Sequence, residues 1–308
     1  MQWRTCAGVG RLVIGLAAGL FATDSVGAAA ALRVVATTGM VGDLVARVGG
    51  EDVAVDVLMG PGVDPHLYKA TASDVLKLQR ADAVFYSGLR LEGKLEEVFT
   101  RIARVKPNVF AVSDALPAAR LIAPDGAAGH PDPHVWFDVE LWAHGVDAVV
   151  AGLSRAMPAR ADAFAARGVV VRRELAELHA WCLAKAAELP AEARVLVTSH
   201  DAYNYFGRAY GFQVVGLQGL STVSEAALAD MAKLVDFIRA RQVKAVFVES
   251  SVPHATIERI SADAGVAIGG ELFSDAMGTP GQIENGYDMG TYEGMVKHNL
   301  TTIVEALR

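Results

Sequence analysis

The chain has 308 residues, of which 52% are apolar and 20% charged, with a formal net charge of −7 at pH 7. That length and apolar content describe a folded, core-rich protein of about two ordinary domains and exclude a disordered chain. The acidic balance argues against nucleic acid as a partner and is compatible with a cation.

Residues 1–30 read as a secretory signal peptide. Arg4 and Arg11 precede or open an apolar and glycine run at 12–22, too short to span a bilayer. Small residues at 26–31 then supply a cleavage region near 28–30. The alternative is a membrane anchor. Cys6 lies before the apolar run, so it is not a lipidated cysteine of the kind that follows one. Export to the periplasm is therefore expected. After cleavage only Cys182 remains, so no internal disulfide is available and stability must come from the core.

Residues 31–157 are expected to form a first α/β lobe. Strands are predicted at 33–37, 53–58, 83–86 and 109–112, with a helix at 72–79. Residues 190–308 are expected to form a second lobe, with strands at 194–199, 214–217, 245–248 and 266–268 and helices at 226–239 and 254–264. Strands alternating with helices imply parallel sheets. The two halves also align. Arg33-Val34-Val35-Ala36-Thr37-Thr38 matches Arg194-Val195-Leu196-Val197-Thr198-Ser199, and Ala83-Val84-Phe85 matches Ala245-Val246-Phe247. The repeated register suggests two similar lobes. Between them, residues 158–189 carry apolar residues at helical spacing and are bounded by Pro158 and Pro190. They are predicted to form one continuous linker helix, roughly 45–50 Å long.

Four short motifs stand out. They are Gly-Val-Asp-Pro-His at 62–66, Asp-Pro-His-Val-Trp at 132–136, Thr-Ser-His-Asp at 198–201 and Phe-Ser-Asp-Ala-Met-Gly at 273–278. His66 and His134 each follow Asp-Pro, where proline stiffens the turn. His66, His200 and Asp275 each follow a predicted strand, where parallel α/β sheets place ligands. His66, His134, His200 and Asp275 are thus candidate metal ligands. Three imidazoles and a carboxylate suit Zn2+, with Mn2+ feasible, and one ion per chain is expected. Neutral imidazole is the binding form, so affinity is expected to fall once the pH drops below about 6.

Other roles compete at each position. Asp275 could cap a short helix. Glu249, at the end of a strand, reads as a partner for a ligand histidine, as a helix cap or as a surface carboxylate. His130 is a loop residue that could assist recruitment, while His144, His179, His254 and His298 lie in helical patterns and need no functional role. Four protein ligands favour capture over catalysis, since catalytic zinc keeps a position open for water. A secreted zinc hydrolase is the rival if Asp275 is a base. A binder of a metal chelate or organic solute is the third reading.

Longer stretches carry a resemblance. Gly-Pro-Gly-Val-Asp-Pro-His-Leu-Tyr (60–68), Asp-Pro-His-Val-Trp-Phe-Asp (132–138), Ser-His-Asp-Ala-Tyr-Asn-Tyr-Phe (199–206), Phe-Val-Glu-Ser-Ser-Val (247–252) and Gly-Gly-Glu-Leu-Phe-Ser-Asp-Ala-Met-Gly (269–278) are similar to motifs of the TroA-like zinc- or manganese-binding solute-binding proteins of ABC transporters. The resemblance implies two α/β lobes joined by one long helix. It implies metal ligands at His66, His134, His200 and Asp275. It also implies a monomer that hands its ion to a membrane permease and catalyses nothing. Two features pull apart. Zinc-importing relatives often carry a histidine- and acid-rich loop before the second histidine, and the segment 123–129 here is short and has none. Manganese-dedicated relatives often have glutamate at the third position, which here is His200.

Overall fold

In the computed structural model the described residues are Gln2, 30–123, 129–224 and 227–308. The signal-peptide reading, and most of the short loop before the second histidine, lie outside them. Residues 31–308 form one compact unit.

Strands β1 (Leu32–Thr38), β2 (Val53–Met59), β3 (Ala83–Tyr86) and β4 (Val109–Ala111) make a parallel sheet in the order β2-β1-β3-β4. In the second half, β5 (Val195–His200) pairs in parallel with β6 (Gln213–Gln218), and β7 (Ala245–Glu249) pairs with β8 (Ala267–Leu272). β5 runs beside β7, so the spatial order β6-β5-β7-β8 repeats that of the first sheet. No ladder joins β5 to β7 among the described residues, so the second sheet is two parallel pairs side by side. The strands matched in sequence, β1 with β5 and β3 with β7, occupy the two central positions of each lobe. The fold is α/β with two similar lobes, as the alternation of strands and helices implied.

Local chemistry sets the helices. Thr38 ends β1 and caps α1 (Gly39–Gly49), its hydroxyl accepting from Val41 N–H. α1 lies so close to β2 that a Cβ at Gly42 would fall 2.6 Å from the Val57 side chain, so only glycine permits the approach. α2 (Ala72–Arg80) starts in a capping box between Thr71 and Asp74. α3 (Leu95–Ala103), α4 (Val139–Trp142) and α5 (Gly145–Ala156) complete the first half.

α6 (Ala161–Ala186) is the long helix between the lobes. Its 26 residues span about 39 Å, shorter than predicted. Pro158–Arg160 forms a 3-10 turn instead, and Arg160 breaks from helical geometry at φ −115°, ψ 8°. At the other end Pro190 disfavours helix before it, and residues 187–189 turn off so that Leu189 enters the core. α7 (Asn204–Tyr210), α8 (Leu228–Arg241), α9 (Ala255–Ala264) and α10 (Tyr292–Leu307) follow, with a small antiparallel hairpin, β9 (Ile283–Glu284) and β10 (Tyr287–Asp288), before α10. Sequence reading gave no sign of that hairpin.

The apolar core does not stop between the lobes. One cluster runs from Val34, Met40 and Phe85 through Phe164, Leu175 and Cys182 of α6 to Phe206, Phe273, Tyr292 and Ile303. Burial of this kind stabilises by roughly 25 cal/mol per Å2 of apolar surface. Separating the lobes would expose part of it, so the fold resists wide opening.

Candidate metal centre

Four separate elements deliver the four candidate ligands. His66 sits in the turn between β2 and α2, and His134 opens a 3-10 turn at Val135–Phe137. His200 is the last residue of β5, and Asp275 follows β8 by a short bend. One donor atom from each lies within 4.8 Å of the others. His66 Nε2 is 3.3 Å from His134 Nε2. His134 Nε2 is 3.3 Å from Asp275 Oδ1, and His200 Nε2 is 3.2 Å from Asp275 Oδ2. Ligands about 2.05 Å from a tetrahedral ion stand about 3.3 Å apart. These three separations match those around a small dication. His66 Nε2 lies further from Asp275 Oδ2, at 3.8 Å.

The site is sealed. The side chains of His134, His200 and Asp275 are 0% exposed and that of His66 is 4% exposed. Apart from the facing rings of His134 and His200, neither oxygen of Asp275 has a polar partner among the described residues. It caps no helix, which removes the alternative reading of this residue. Burying a carboxylate with both oxygens unpaired is costly without a compensating positive charge.

Two carboxylates stand behind the histidines. Asp132 Oδ1 lies 2.8 Å from His134 Nδ1 and also accepts the His134 backbone N–H at 2.9 Å. Glu249 Oε2 lies 2.6 Å from His200 Nδ1, while Oε1 accepts the His200 N–H at 3.0 Å. Each partner fixes its ring so that Nε2 faces the centre. Glu249 is thus the partner that the sequence suggested. Asp132 was missed, although the signal was present: an Asp two residues before a residue whose N–H it can accept is an Asx turn. Asp64 does the same for the N–H of His66 at 2.8 Å.

Helix α7 clamps the His134 turn from the second lobe. Asn204 Nδ2 donates to Asp132 Oδ2 at 3.1 Å and Tyr205 O–H donates to Asp132 O at 3.0 Å. Trp136 Nε1–H donates to Ser274 O at 3.1 Å, beside Asp275. His134 comes from the first half of the sequence but is held by the second.

The fields of these groups split the histidines. Burial drives the His66 pKa down to about 4, more than Asp275 raises it. Burial also acts downward on His134, but Asp132 and Asp275 outweigh it and lift the pKa to about 9. His200 opposes burial with Glu249 and Asp275 and stands well above 6.5. For Asp275 burial acts upward, yet His200, His134 and His66 together hold its carboxyl well below the usual range. Without a metal, the centre is a carboxylate bound by two imidazolium rings.

The other histidines have ordinary surroundings. His179 faces the Tyr210 hydroxyl, and His254 and His298 face the backbone carbonyls of Glu249 and Glu271. His130 is outside the cluster of four. Among the described residues no helix is long and apolar enough to cross a membrane.

Comparison with known proteins places the chain among metal-binding relatives. The chain is 48% identical to the manganese-binding lipoprotein MntA of Bacillus subtilis over 293 residues, covering 93% of this chain and 94% of that one. It is 47% identical to the zinc-binding protein TroA of Treponema pallidum, covering 99% and 98%. The solved structure of the periplasmic zinc-binding TroA superposes with a TM-score of 0.85, covering 90% of this chain and 99% of that one. The family described as "Zinc-uptake complex component A periplasmic" matches residues 34–306, and the chain belongs to it.

Proposed function

We propose that this protein captures one Zn2+ or Mn2+ ion outside the cytoplasm and delivers it to the permease of an ABC transporter, acting as a monomer and not as an enzyme. His66, His134, His200 and Asp275 are the proposed ligands. The lobe limits 31–157 and 190–308, with the linker between, belong to the same proposal. The observation that carries it is the set of four donors within 4.8 Å of one another, around a buried carboxylate whose oxygens have no partner besides the facing rings. The relatives support the cargo. One is named for manganese and one for zinc at nearly equal identity, so neither ion is favoured by likeness. Three nitrogens favour zinc by the general affinity order.

The names of the relatives, a lipoprotein and a periplasmic protein, support placement outside the cytoplasm. Hydrolysis requires a coordination position open to water. Four protein ligands would leave a tetrahedral ion no such position, which supports capture. Both oxygens of Asp275 face the rings, so binding through one or two oxygens is compatible with the arrangement.

Native mass spectrometry of metal-stripped protein, titrated separately with Zn2+ and Mn2+, tests the reading. One ion per chain is expected. Uptake of none, or of several with equal affinity, contradicts it.

A further inference from the structure

His66 is held differently from the other two histidines. His134 and His200 each have a carboxylate behind Nδ1. His66 Nδ1 has no such partner among the described residues. Its turn is fixed through the backbone instead, by the hydrogen bond from His66 N–H to Asp64 Oδ1 at 2.8 Å. The second oxygen of Asp64 is held from the other lobe: Thr222 Oγ1–H donates to Asp64 Oδ2 at 2.5 Å, across 158 residues of sequence. Thr222 lies just after β6, and its neighbour Val223 lines a surface cavity of about 490 Å3 with His66 and Leu67. Gly62, in the same turn as Asp64, also approaches the second lobe, at the Ser250 carbonyl.

Three of the four donors are therefore tied together independently of this contact. His134 is bonded to α7 and Ser274 to Trp136, while His200 and Asp275 belong to the second lobe itself. His66 is the candidate ligand whose turn meets the second lobe only through this contact and the Gly62 approach, and it is the most exposed of the four, at 4%.

We propose that Thr222 is a positioning residue that seats His66 across the lobe boundary and so sets how long the site retains its ion. The proposal rests on the metal-capture reading above. With Thr222 in place, Asp64 is pinned at both oxygens and the His66 turn keeps its donor on the ion. Without the hydroxyl, Asp64 keeps only its local bond. The His66 turn can then swing outward, and the ion leaves from a three-ligand platform that is still intact.

Stopped-flow transfer of Zn2+ from loaded full-length protein to excess chelator tests this. Thr222→Val keeps the shape and removes the donor. Loss of a hydrogen bond to a charged group at a half-buried position predicts about tenfold faster release. The association rate and the stoichiometry should be unchanged, and Thr222→Ser should restore slow release. In an Asp64→Ala background, Thr222→Val should add nothing. Release from Thr222→Val at the wild-type rate overturns the proposal, as does failure of Thr222→Ser to restore it or full additivity with Asp64→Ala. If Asp64→Ala does not fold, the Val and Ser variants decide alone. A wild-type protein that takes up no metal overturns the functional reading and the positioning role with it.

Discussion

Metal binding should expel two protons at neutral pH. His134, with its pKa near 9, and His200, well above 6.5, carry protons on the Nε2 atoms that face Asp275. His66, with its pKa near 4, carries none. An ion must displace both protons, while the Nδ1 protons stay on the rings, facing Asp132 and Glu249. The groups raised in the metal-free state compete with metal below their raised pKa values. Affinity therefore rises with pH through the range in which His134 titrates, near 9, and for as long as His200 also holds its raised proton. Below neutral pH, where both raised rings hold their extra proton, the association constant should climb steeply with pH, with more than one proton released per ion bound. Below about 4 a third proton joins, on His66. The sequence alone, using ordinary histidines, placed the loss of affinity below about pH 6. The surrounding carboxylates move it up by several units. Chelator competition at pH 6, 7 and 8, corrected for protonation of the chelator, reads the slope directly. Calorimetry in buffers of different ionisation heat counts the protons independently. An affinity that is flat between pH 6 and 8 refutes the reasoning, because it requires His134 to be neutral throughout that range.

Three further outcomes are expected. Asp132→Asn and Glu249→Gln should each weaken metal binding by about 10- to 100-fold with the fold retained, as read by competition titration alongside circular dichroism. Small-angle scattering should detect only slight compaction on loading, because α6 and a shared core join the lobes; a jaw-like closure contradicts this. Glu92→Gln should lower the melting temperature without changing stoichiometry. The fully buried Glu92 accepts from Thr37 Oγ1–H, Ser87 N–H and Gly88 N–H, and the single amide oxygen of glutamine leaves a buried donor unmet, at a cost of about 1–3 kcal/mol.

The candidate site was legible in sequence because proline-stiffened turns and strand ends are local features. Asp-Pro-His at 64–66 and 132–134, His200 at the end of β5 and the Asp275 bend all appear where local patterns put them. The strands were legible for a similar reason, as short apolar, β-branched runs, of which the central β1, β3, β5 and β7 are the most fully buried. What sequence could not supply was pairing at a distance. Asn204 and Tyr205 meet Asp132 only because the lobes fold face to face. Thr222 in a polar loop carries no sign that its partner is Asp64. The ends of α6 were overestimated because alanine-rich sequence permits helix on both sides of it. Arg160 and the turn at 187–189 are set by how the chain must enter each lobe.

X-ray absorption spectroscopy of zinc-loaded protein tests the central claim most directly. The account predicts three imidazole nitrogens and carboxylate oxygen at about 2.0–2.1 Å, with no sulfur neighbour, since Cys182 is buried in α6. His200→Ala should remove one imidazole from that shell. A spectrum with fewer than three imidazoles in the wild type, or one unchanged by His200→Ala, would contradict the assignment of these four residues.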